Sequence, residues 1–338
     1  MTLNPFVSFM IKRGAMALLT FTVALILIFL LPRIIPGNPL AITVYRIVST
    51  AGTNPEQVKA VERMLMEYFQ LNKPLHEQFF LFIRNLFRGY LGKSIMYFPL
   101  DVNDVIAMYL PWTLALVVPA VVLAWIVGNT IGVIAAMSRG KLVDKVLLPL
   151  LAVLQGTPPY VWAMYLILIF AIWLKIFPAS GGWDPTLAPS PTTTFMVSFL
   201  HHYVLPFLSI FMVSLGGWGL SMRNIALQEL TSDYMDYVRV LGLSQRKTFR
   251  YLFKSSALPQ IVGLAIVLGW SFSGSLITEI VFNYPGIGRM LWGAIQSQDY
   301  PLIQGGFIIV IAAIILANYI SELIFAVIDP RTRYAYGM

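Results

Sequence analysis

Six long runs without a charged side chain divide this sequence. Helices need about 20 predominantly apolar residues to cross a bilayer, and each run supplies roughly that number or more. The six runs cover residues 14–32, 105–138, 146–174, 185–222, 255–278 and 300–321. The pattern therefore predicts an all-α membrane protein with six transmembrane helices.

Composition agrees with this prediction. Apolar residues make up 58% of the chain, charged residues 11%, and the mean hydropathy is +0.76. Such a chain has too little polar surface to cover a water-soluble globule. Cysteine is absent, which excludes disulfides and cysteine-ligated metal or iron–sulfur centres. The first run lacks a small-residue cleavage site and ends at Pro32-Arg33, so we expect a retained helix and not a signal peptide.

The distribution of lysine and arginine indicates the orientation in the membrane. With a cytoplasmic N-terminus, one side of the membrane holds nearly all of the net charge of +8. Its cations are Lys12, Arg13, Arg139, Lys141, Lys145, Arg223, Arg239, Arg246, Lys247, Arg250, Lys254, Arg331 and Arg333. We therefore predict that both termini are cytoplasmic and that the chain is a multi-pass protein of the inner or plasma membrane, surrounded by lipid. Basic charge of this origin does not indicate nucleic-acid binding.

A polar region, residues 36–104, separates the first two runs and predicts an extracytoplasmic helical cap. Asn54-Pro55 is a helix start, because asparagine caps well and proline fits the first helical position. A second helix is expected after Lys73-Pro74, ending near Gly89. The apolar face of the first cap helix consists of Val58, Val61, Leu65 and Tyr68. The cap either packs on the outer membrane surface or receives a partner.

These boundaries divide the chain into three predicted parts. Residues 1–35 hold the N-terminus and first transmembrane helix, residues 36–104 the cap, and residues 105–338 a five-helix core. A cytoplasmic segment, residues 229–259, lies within that core between the fourth and fifth runs.

Prolines and glycines interrupt the runs. Thr157-Pro158-Pro159-Tyr160 predicts a kink in the third helix, because proline removes backbone donors. The kink is either simple packing or part of a solute pathway. Glycines predict close helix contacts at positions 128, 132, 216, 217 and 219. The candidate pathway residues are Pro158, Pro159, Tyr160 and Trp218.

Ionisable residues are scarce within the runs. Glu279 lies near the outer end of the fifth run, Glu322 near the inner end of the sixth, and His201-His202 near the outer edge of the fourth. A proton- or ion-coupled secondary transporter, which is our alternative function, needs buried titratable groups and usually internal repeats. A membrane enzyme needs a polar cluster at one depth. Neither pattern is present in the sequence.

The cytoplasmic segment predicts a short helix that ends at a glycine. Its apolar positions recur at helical spacing, and Gly242 is well placed for the left-handed residue that ends a helix. Ser244 can cap a following basic helix that reaches Leu258-Pro259. A short helix between two spans can dock in the groove of a partner and transmit motion, or it is an ordinary surface helix.

This segment resembles the coupling module of permease subunits in ATP-binding-cassette importers. That module has the pattern Glu-Ala-Ala, three residues, Gly, and ends near Leu-Pro. Aligned on Gly242, the first three positions are Asp236, Tyr237 and Val238, so one acid is kept and both alanines are replaced. The residues that the resemblance implies for ATPase docking are Asp233, Asp236, Tyr237, Val238, Arg239, Gly242, Leu243 and Ser244.

Six further stretches resemble the oligopeptide and dipeptide permease family. They occur in the family's order and span nearly the whole chain. The stretches are PGNP at 36–39, LNKPLHEQF at 71–79, PWTLALVVPAVVLAWIVGNTIGVIAA at 111–136, FPASGGWDP at 177–185, TEIVFNYPGIG at 278–288 and AVIDPRTRY at 326–334. Within the fifth stretch, Tyr284-Pro285-Gly286 predicts a turn with proline at its second position and glycine at its third. The candidate outer gate comprises Glu279, Pro285, Gly286 and Gly288.

The resemblance implies a non-catalytic subunit of a transport complex. Its expected partners are a second homologous permease, two cytoplasmic ATPases and an extracytoplasmic solute-binding protein. ATP and Mg²⁺ would bind the ATPases, and we expect no cofactor in this chain, whose sequence has no G-x-x-x-x-G-K-[ST] phosphate loop. Oligopeptides and short oligosaccharides both stay open as substrates.

Overall fold

The structure, a computed structural model, describes residues 5–34, 38–40, 44–45 and 55–328. Those residues form helices and no strand, apart from one isolated antiparallel bridge between Lys93 and Asp101. The helices are α1 (Pro5–Ile34), α2 (Pro55–Tyr68), α3 (Leu75–Phe87), α4 (Val102–Met137), α5 (Leu142–Gly156), α6 (Pro159–Leu166), α7 (Thr193–Glu229), α8 (Asp233–Val240), α9 (Gln245–Val281), α10 (Ile287–Gln296) and α11 (Tyr300–Ile328). A π-helical segment, Ile167–Trp173, continues α6.

Several predicted features lie outside the described residues. They are Asn54, the first two residues of the PGNP stretch, Arg331, Arg333 and the end of the AVIDPRTRY stretch. The side chain of Arg239 is also outside them.

Among the described residues, five helices are long and apolar enough to cross a membrane: α1, α4, α7, α9 and α11. A sixth span is formed if α5 and α6 with its π-helical extension count as one, and these two parts meet at an angle of 101°. The break lies at Thr157-Pro158, and Pro159 occupies the first position of α6. The all-α membrane fold and the kink in the third run are therefore confirmed, and the kink is a full break in direction.

The chain divides into two compact units. The core unit contains Met1–Arg13, Thr113–Pro285 and Ile314–Met338, and the cap unit contains Gly14–Trp112 and Gly286–Ala313. The boundaries between the units fall inside α1, α4 and α11 and not at residues 35 and 104. The three-part division of the sequence stays a prediction.

Glycines bring α7 of the core unit close to α4 and α5. A Cβ atom at Gly132 would lie 2.5 Å from the carbonyl oxygen of Gly219, and one at Gly128 would lie 2.8 Å from Cβ of Trp218. On the other side of α7, a Cβ atom at Gly216 would lie 2.5 Å from the backbone nitrogen of Gln155. Backbones approach this closely only where a side chain is absent. The predicted close contacts at these glycines are confirmed.

The cap unit has an apolar core of its own. Leu40, Val44, Leu65 and Ile95 are buried there, and Val58, Val61 and Phe69 pack against them. Tyr68 is 51% exposed, so its predicted place on the apolar face of α2 is wrong. Phe69, one residue later, takes that position because the helix has ended. The predicted second cap helix is confirmed as α3, followed by Gly89 at φ +70°.

Asp299 fixes the loop before α4 to the start of α11 within the cap unit. Its carboxylate accepts hydrogen bonds from Ser94 Oγ at 2.5 Å, from the Met96 N–H at 2.8 Å and from the Leu302 N–H at 3.0 Å. Burial raises the pKa of Asp299, and these hydrogen bonds act in the opposite direction. The bonds hold the loop at 89–101 in one arrangement.

Candidate coupling segment and pathway residues

The short helix α8 has one anchored side and one exposed apolar side. Met235 and Val238 are 0% and 8% exposed, whereas Tyr237, Val240 and Leu241 are 74%, 86% and 66% exposed. Successive residues of an α-helix point about 100° apart, which separates Val238 from its neighbour Tyr237. Val238, predicted as a docking residue together with Tyr237, therefore anchors the helix and is not available on its outer surface.

Tyr234 connects α8 to both neighbouring helices. Its hydroxyl donates to Glu229 Oε2 at 2.7 Å, at the end of α7, and lies 2.6 Å from Ser255 Oγ in α9. Burial raises the pKa of Tyr234 above its ordinary value, so the phenol stays protonated and able to donate. Direct side-chain bonds therefore connect α8 to α7 and α9.

Gly242 ends α8 as the sequence predicted. Its φ of +59° is left-handed, and the N–H of Leu243 points back to the Val238 carbonyl at 3.5 Å. This is the arrangement of a Schellman end, in which glycine avoids the strain that a Cβ atom creates. No atom lies within 4 Å of a Cβ built on Gly242, so its backbone conformation and not lack of space requires glycine.

The other predicted docking residues lie around this helix. Asp233 and Asp236 are exposed in the first turn, where negative charge complements the helix dipole. Leu243 is half-buried and Ser244 is exposed. Ser244 precedes α9 as predicted, but its side chain makes no capping hydrogen bond.

The helix after Ser244 is continuous with the fifth span. The predicted basic helix after Ser244, which reaches Leu258-Pro259 at the entry into the fifth span, is confirmed as the first part of α9, and α9 runs without a break from Gln245 to Val281 with Pro259 inside it. Neighbours of the proline are tightly packed: Ser256 and Gln260 are 0% and 2% exposed. Tertiary packing on both sides of Pro259 maintains the helix despite the lost donor.

A buried ion pair lies near the same end of the core unit. Asp144 in α5 accepts from Arg223 Nε at 2.7 Å and Nη2 at 3.0 Å, and also from the Gly140 N–H at 3.2 Å. The aspartate and arginine side chains are 8% and 12% exposed. A second pair joins α1 to α11 through Arg13 and Glu322 at 2.8 Å. Sequence reasoning missed both pairs, because no local pattern connects residues so distant in the chain.

An apolar cluster joins α4, α7 and α9. Its buried members are Val133, Ala136, Met222, Ala226 and Leu252. The two helices that flank the cytoplasmic segment, α7 and α9, therefore pack together with α4 in one close-packed cluster.

At its C-terminal end, α9 is terminated by Asn283. Asn283 has φ +50°, its N–H donates to the Ile280 carbonyl, and the Tyr284 N–H donates to the Glu279 carbonyl at 2.8 Å. This is again a Schellman end. Gly286 is extended, with φ −102° and ψ −179°, and precedes α10. The backbone bends at Pro285 and Gly286, where the sequence predicted a reversal, but the left-handed residue is Asn283, before the proline.

The predicted outer-gate residues do not form one exposed group. Glu279 and Tyr284 are both fully buried in the core unit. Pro285 packs on the loop before α7, where a Cβ atom at Gly182 would lie 2.6 Å from Pro285 Cδ. The Gly181 N–H also donates to the Phe282 carbonyl at 2.8 Å. Gly286 and Gly288 belong to the cap unit, where both are buried.

The candidate pathway residues fall in two environments. Pro158 is exposed, and Pro159 and Tyr160 are half-buried, all at the break between α5 and α6. Trp218 is 6% exposed and lies against the glycines of neighbouring helices, with its Cη2 3.4 Å from a Cβ built on Gly263. Trp218 therefore fills space between packed helices.

The two histidines bind backbone carbonyls. His201 Nε2 lies 2.7 Å from the Ile176 oxygen, and His202 Nδ1 lies 2.8 Å from the Ser198 oxygen. The described part of the chain holds no group of three or more His, Cys, Asp or Glu side chains suited to a metal ion.

Comparison with known proteins identifies the family. Residues 128–334 match the family described as "binding-protein-dependent transport system inner membrane component". The chain is 29% identical to the di/tripeptide transport system permease protein DppB of Pseudomonas aeruginosa, over 97% of this chain and 99% of that protein. It is 31% identical to the oligopeptide transport system permease protein OppB of Haemophilus influenzae, over 96% and 99%. It is 28% identical to the dipeptide transport system permease protein DppB of Escherichia coli K12, over 96% and 98%.

The match covers more than half of the chain, and the relatives align over nearly their whole length. These similarities agree with the several apolar helices able to span a membrane. The chain therefore belongs to the family of inner membrane components of binding-protein-dependent transport systems, and it is a membrane permease subunit of an importer.

Proposed function

We propose that this permease forms half of the pathway of an ATP-driven importer of short peptides and that α8 couples the pathway to a cytoplasmic ATPase. The peptide substrate rests on the relatives, which are named for di/tripeptides, dipeptides and oligopeptides. Short oligosaccharides, the other substrate left open by the sequence, stay a prediction. The second half of the pathway comes from a homologous permease.

The observation that carries the coupling proposal is the two-sided burial of α8. Three large side chains, Tyr237, Val240 and Leu241, face outward from a loop on the predicted cytoplasmic side. Fully burying one such side chain contributes about 1.5–3 kcal/mol. A rigid, anchored helix that exposes three of them is suited to insert into a groove of a partner, where large aromatic and apolar anchors supply most of the affinity.

The route for motion is continuous from α8 into the membrane. Closure of two ATPases on ATP and Mg²⁺ would push on α8, and the bonds of Tyr234 would pass that push to α7 and α9. A helix of the length of α9 spans roughly 55 Å at 1.5 Å per residue. Its far end holds the Asn283 turn and, through Phe282, the loop at Gly181. An extracytoplasmic binding protein would deliver peptide on that side.

The test compares variants of two exposed residues at α8 with a variant of an exposed leucine on another loop. Leu241→Ser and Tyr237→Ser should each weaken association of the ATPase by about tenfold, since each removes an anchor worth more than 1 kcal/mol. Leu142→Ser is the matched control, because Leu142 is 76% exposed at the start of a different helix, α5. The measurement is ATPase retained on the purified permease pair, together with peptide-stimulated ATP hydrolysis.

Equal retention of the ATPase by Leu241→Ser, Tyr237→Ser and Leu142→Ser would remove α8 as the docking site. Loss in all three would indicate a general folding defect. Only selective loss in the two α8 variants supports the proposal.

A further inference from the structure

A cavity of about 330 Å³ lies within the cap unit at the ends of two spans. Arg33 at the end of α1, Gln78 in α3 and Gln304 near the start of α11 line it, together with the loop at Tyr90–Lys93. Both α1 and α11 are long and apolar enough to cross a membrane, so their ends lie at the boundary between hydrocarbon and water. The volume of the cavity is at the lower end of the range of about 300–1,000 Å³ that is typical of ligand sites.

Arg33 has hydrogen-bond donors in this cavity that its bonds to Gln78 and Phe29 do not use. Its Nε and Nη2 atoms donate to Gln78 Oε1 at 3.2 and 3.0 Å, and its Nη1 donates to the Phe29 carbonyl at 2.7 Å. A guanidinium carries five N–H groups, so two are left for a ligand. Its carbon also lies 3.7 Å from the centre of the Phe29 ring, which fixes the plane of the group. Arg33 is thus held in place by neutral groups only.

The cavity is electropositive. Among the residues that the structure describes, no aspartate or glutamate lines it, and the other lining cation, Lys93, is neutralised by Asp101 at 2.8 Å. Arg33 has no ion-pair partner among the described residues. A partly buried arginine without a counter-ion is costly, and an anion in the cavity would remove that cost.

Gln304 supplies a second, independent sign of a missing ligand. It is 5% exposed, lines the cavity, and its Nε2 amide has no acceptor in the described part of the chain. Buried amide donors are almost always paired, so an acceptor is expected next to this one. The amide of Gln78, by contrast, is fully used, because its Nε2 donates to the Lys73 carbonyl at 2.8 Å.

We propose that this cavity binds the phosphate headgroup of an anionic phospholipid, held by Arg33 and Gln304. Arginine suits phosphate because its planar fork matches two oxygens at once. Leu81, Phe82 and Leu86 form an apolar wall. The cavity accommodates only a headgroup, so the acyl chains lie outside it. Three side chains of α1 within two turns of Arg33 give the acyl chains an apolar surface to pack against. They are Leu27, Leu31 and Ile34, which are 51%, 57% and 73% exposed.

The experiment uses the complete transport complex after removal of lipid. Short-chain phosphatidylglycerol is titrated in detergent, and bound lipid is counted by native mass spectrometry. Arg33→Met should weaken binding by about tenfold or more, because it removes charge-assisted hydrogen bonds. Gln304→Leu should weaken it severalfold while leaving the bonds of Arg33 to Gln78 and Phe29 intact. Arg84→Gln is the matched control, since Arg84 is an exposed cation of α3 that does not line the cavity.

Three results would overturn the proposal. The first is equal lipid affinity in Gln304→Leu, Arg84→Gln and the unaltered complex. The second is binding of glycerol 3-phosphate as tight as that of the lipid, which would identify a site for a soluble anion. The third is displacement of the lipid by a transported dipeptide, which would identify a substrate site. The lipid site does not depend on the coupling role of α8, so either proposal can fail alone.

Discussion

Asp144 and Arg223 form a buried, bidentate ion pair in the core unit, and its removal gives a sharp prediction. Asp144→Ala deletes two hydrogen bonds from Arg223, at 2.7 and 3.0 Å, and a third from the Gly140 N–H. The Arg223 side chain is only 12% exposed in this arrangement. The variant therefore leaves an uncompensated cation between α5 and α7.

The magnitude follows from burial. Breaking a buried ion pair by removing one partner costs about 3–5 kcal/mol. Because both side chains retain some exposure at the ends of their spans, we expect about 3 kcal/mol for Asp144→Ala. Replacing both partners by apolar residues of similar volume, Asp144→Leu with Arg223→Met, removes the stranded charge. The double variant should recover most of the loss.

The assay is unfolding of the purified permease in mixed micelles, with four proteins arranged as a double-mutant cycle. The unaltered chain, Asp144→Leu, Arg223→Met and the double variant give the coupling energy directly, and Asp144→Ala is measured beside them. We expect each single variant to be clearly less stable than the double variant. Losses below about 1 kcal/mol in the single variants, as for an exposed pair, would refute the reasoning. So would a double variant whose loss is the sum of the two.

Two further predictions concern glycines. Gly216→Ala should lower the yield of folded permease, at a cost of about 1–3 kcal/mol, because the new Cβ would lie 2.5 Å from the Gln155 backbone nitrogen. Its neighbour Gly217 is the control, since the nearest atoms to a Cβ there are at 4.0 Å, and equal yields of the two alanine variants would argue against the close contact. Gly242→Ala should reduce peptide uptake while leaving the amount of permease in the membrane unchanged, because a left-handed alanine costs about 1–2 kcal/mol and loosens the end of α8. Unchanged uptake would show that this helix end does not matter for coupling.

Features that depend on local chemistry could be predicted from the sequence. The apolar runs correspond to the membrane-spanning helices because a bilayer imposes their length. Gly242 was predictable as a left-handed residue because it follows a helical pattern directly. The paired prolines at Pro158-Pro159 indicated the break in the third span, although only the structure gives its angle of 101°.

Features that depend on tertiary packing could not be predicted from the sequence. Val238 has the same helical spacing as other apolar positions of its segment, and only the neighbours of α8 decide that it points inward. Pro259 is a helix breaker by propensity, yet packing carries α9 through it. Asn283, not the glycine three residues later, takes the left-handed position. The pair Asp144–Arg223 joins residues that no local pattern relates.

The coupling proposal requires that α8 inserts into an ATPase. The most direct test replaces Tyr237, which is 74% exposed, by a photo-crosslinking amino acid and irradiates membranes containing the whole complex. We expect a product between this permease and the cytoplasmic ATPase, and its yield should change when ATP is added. The same probe at Leu142, equally exposed but on another loop, should give little of that product. Crosslinks from Tyr237 only to lipid or to the extracytoplasmic binding protein would contradict the docking of α8 on the ATPase.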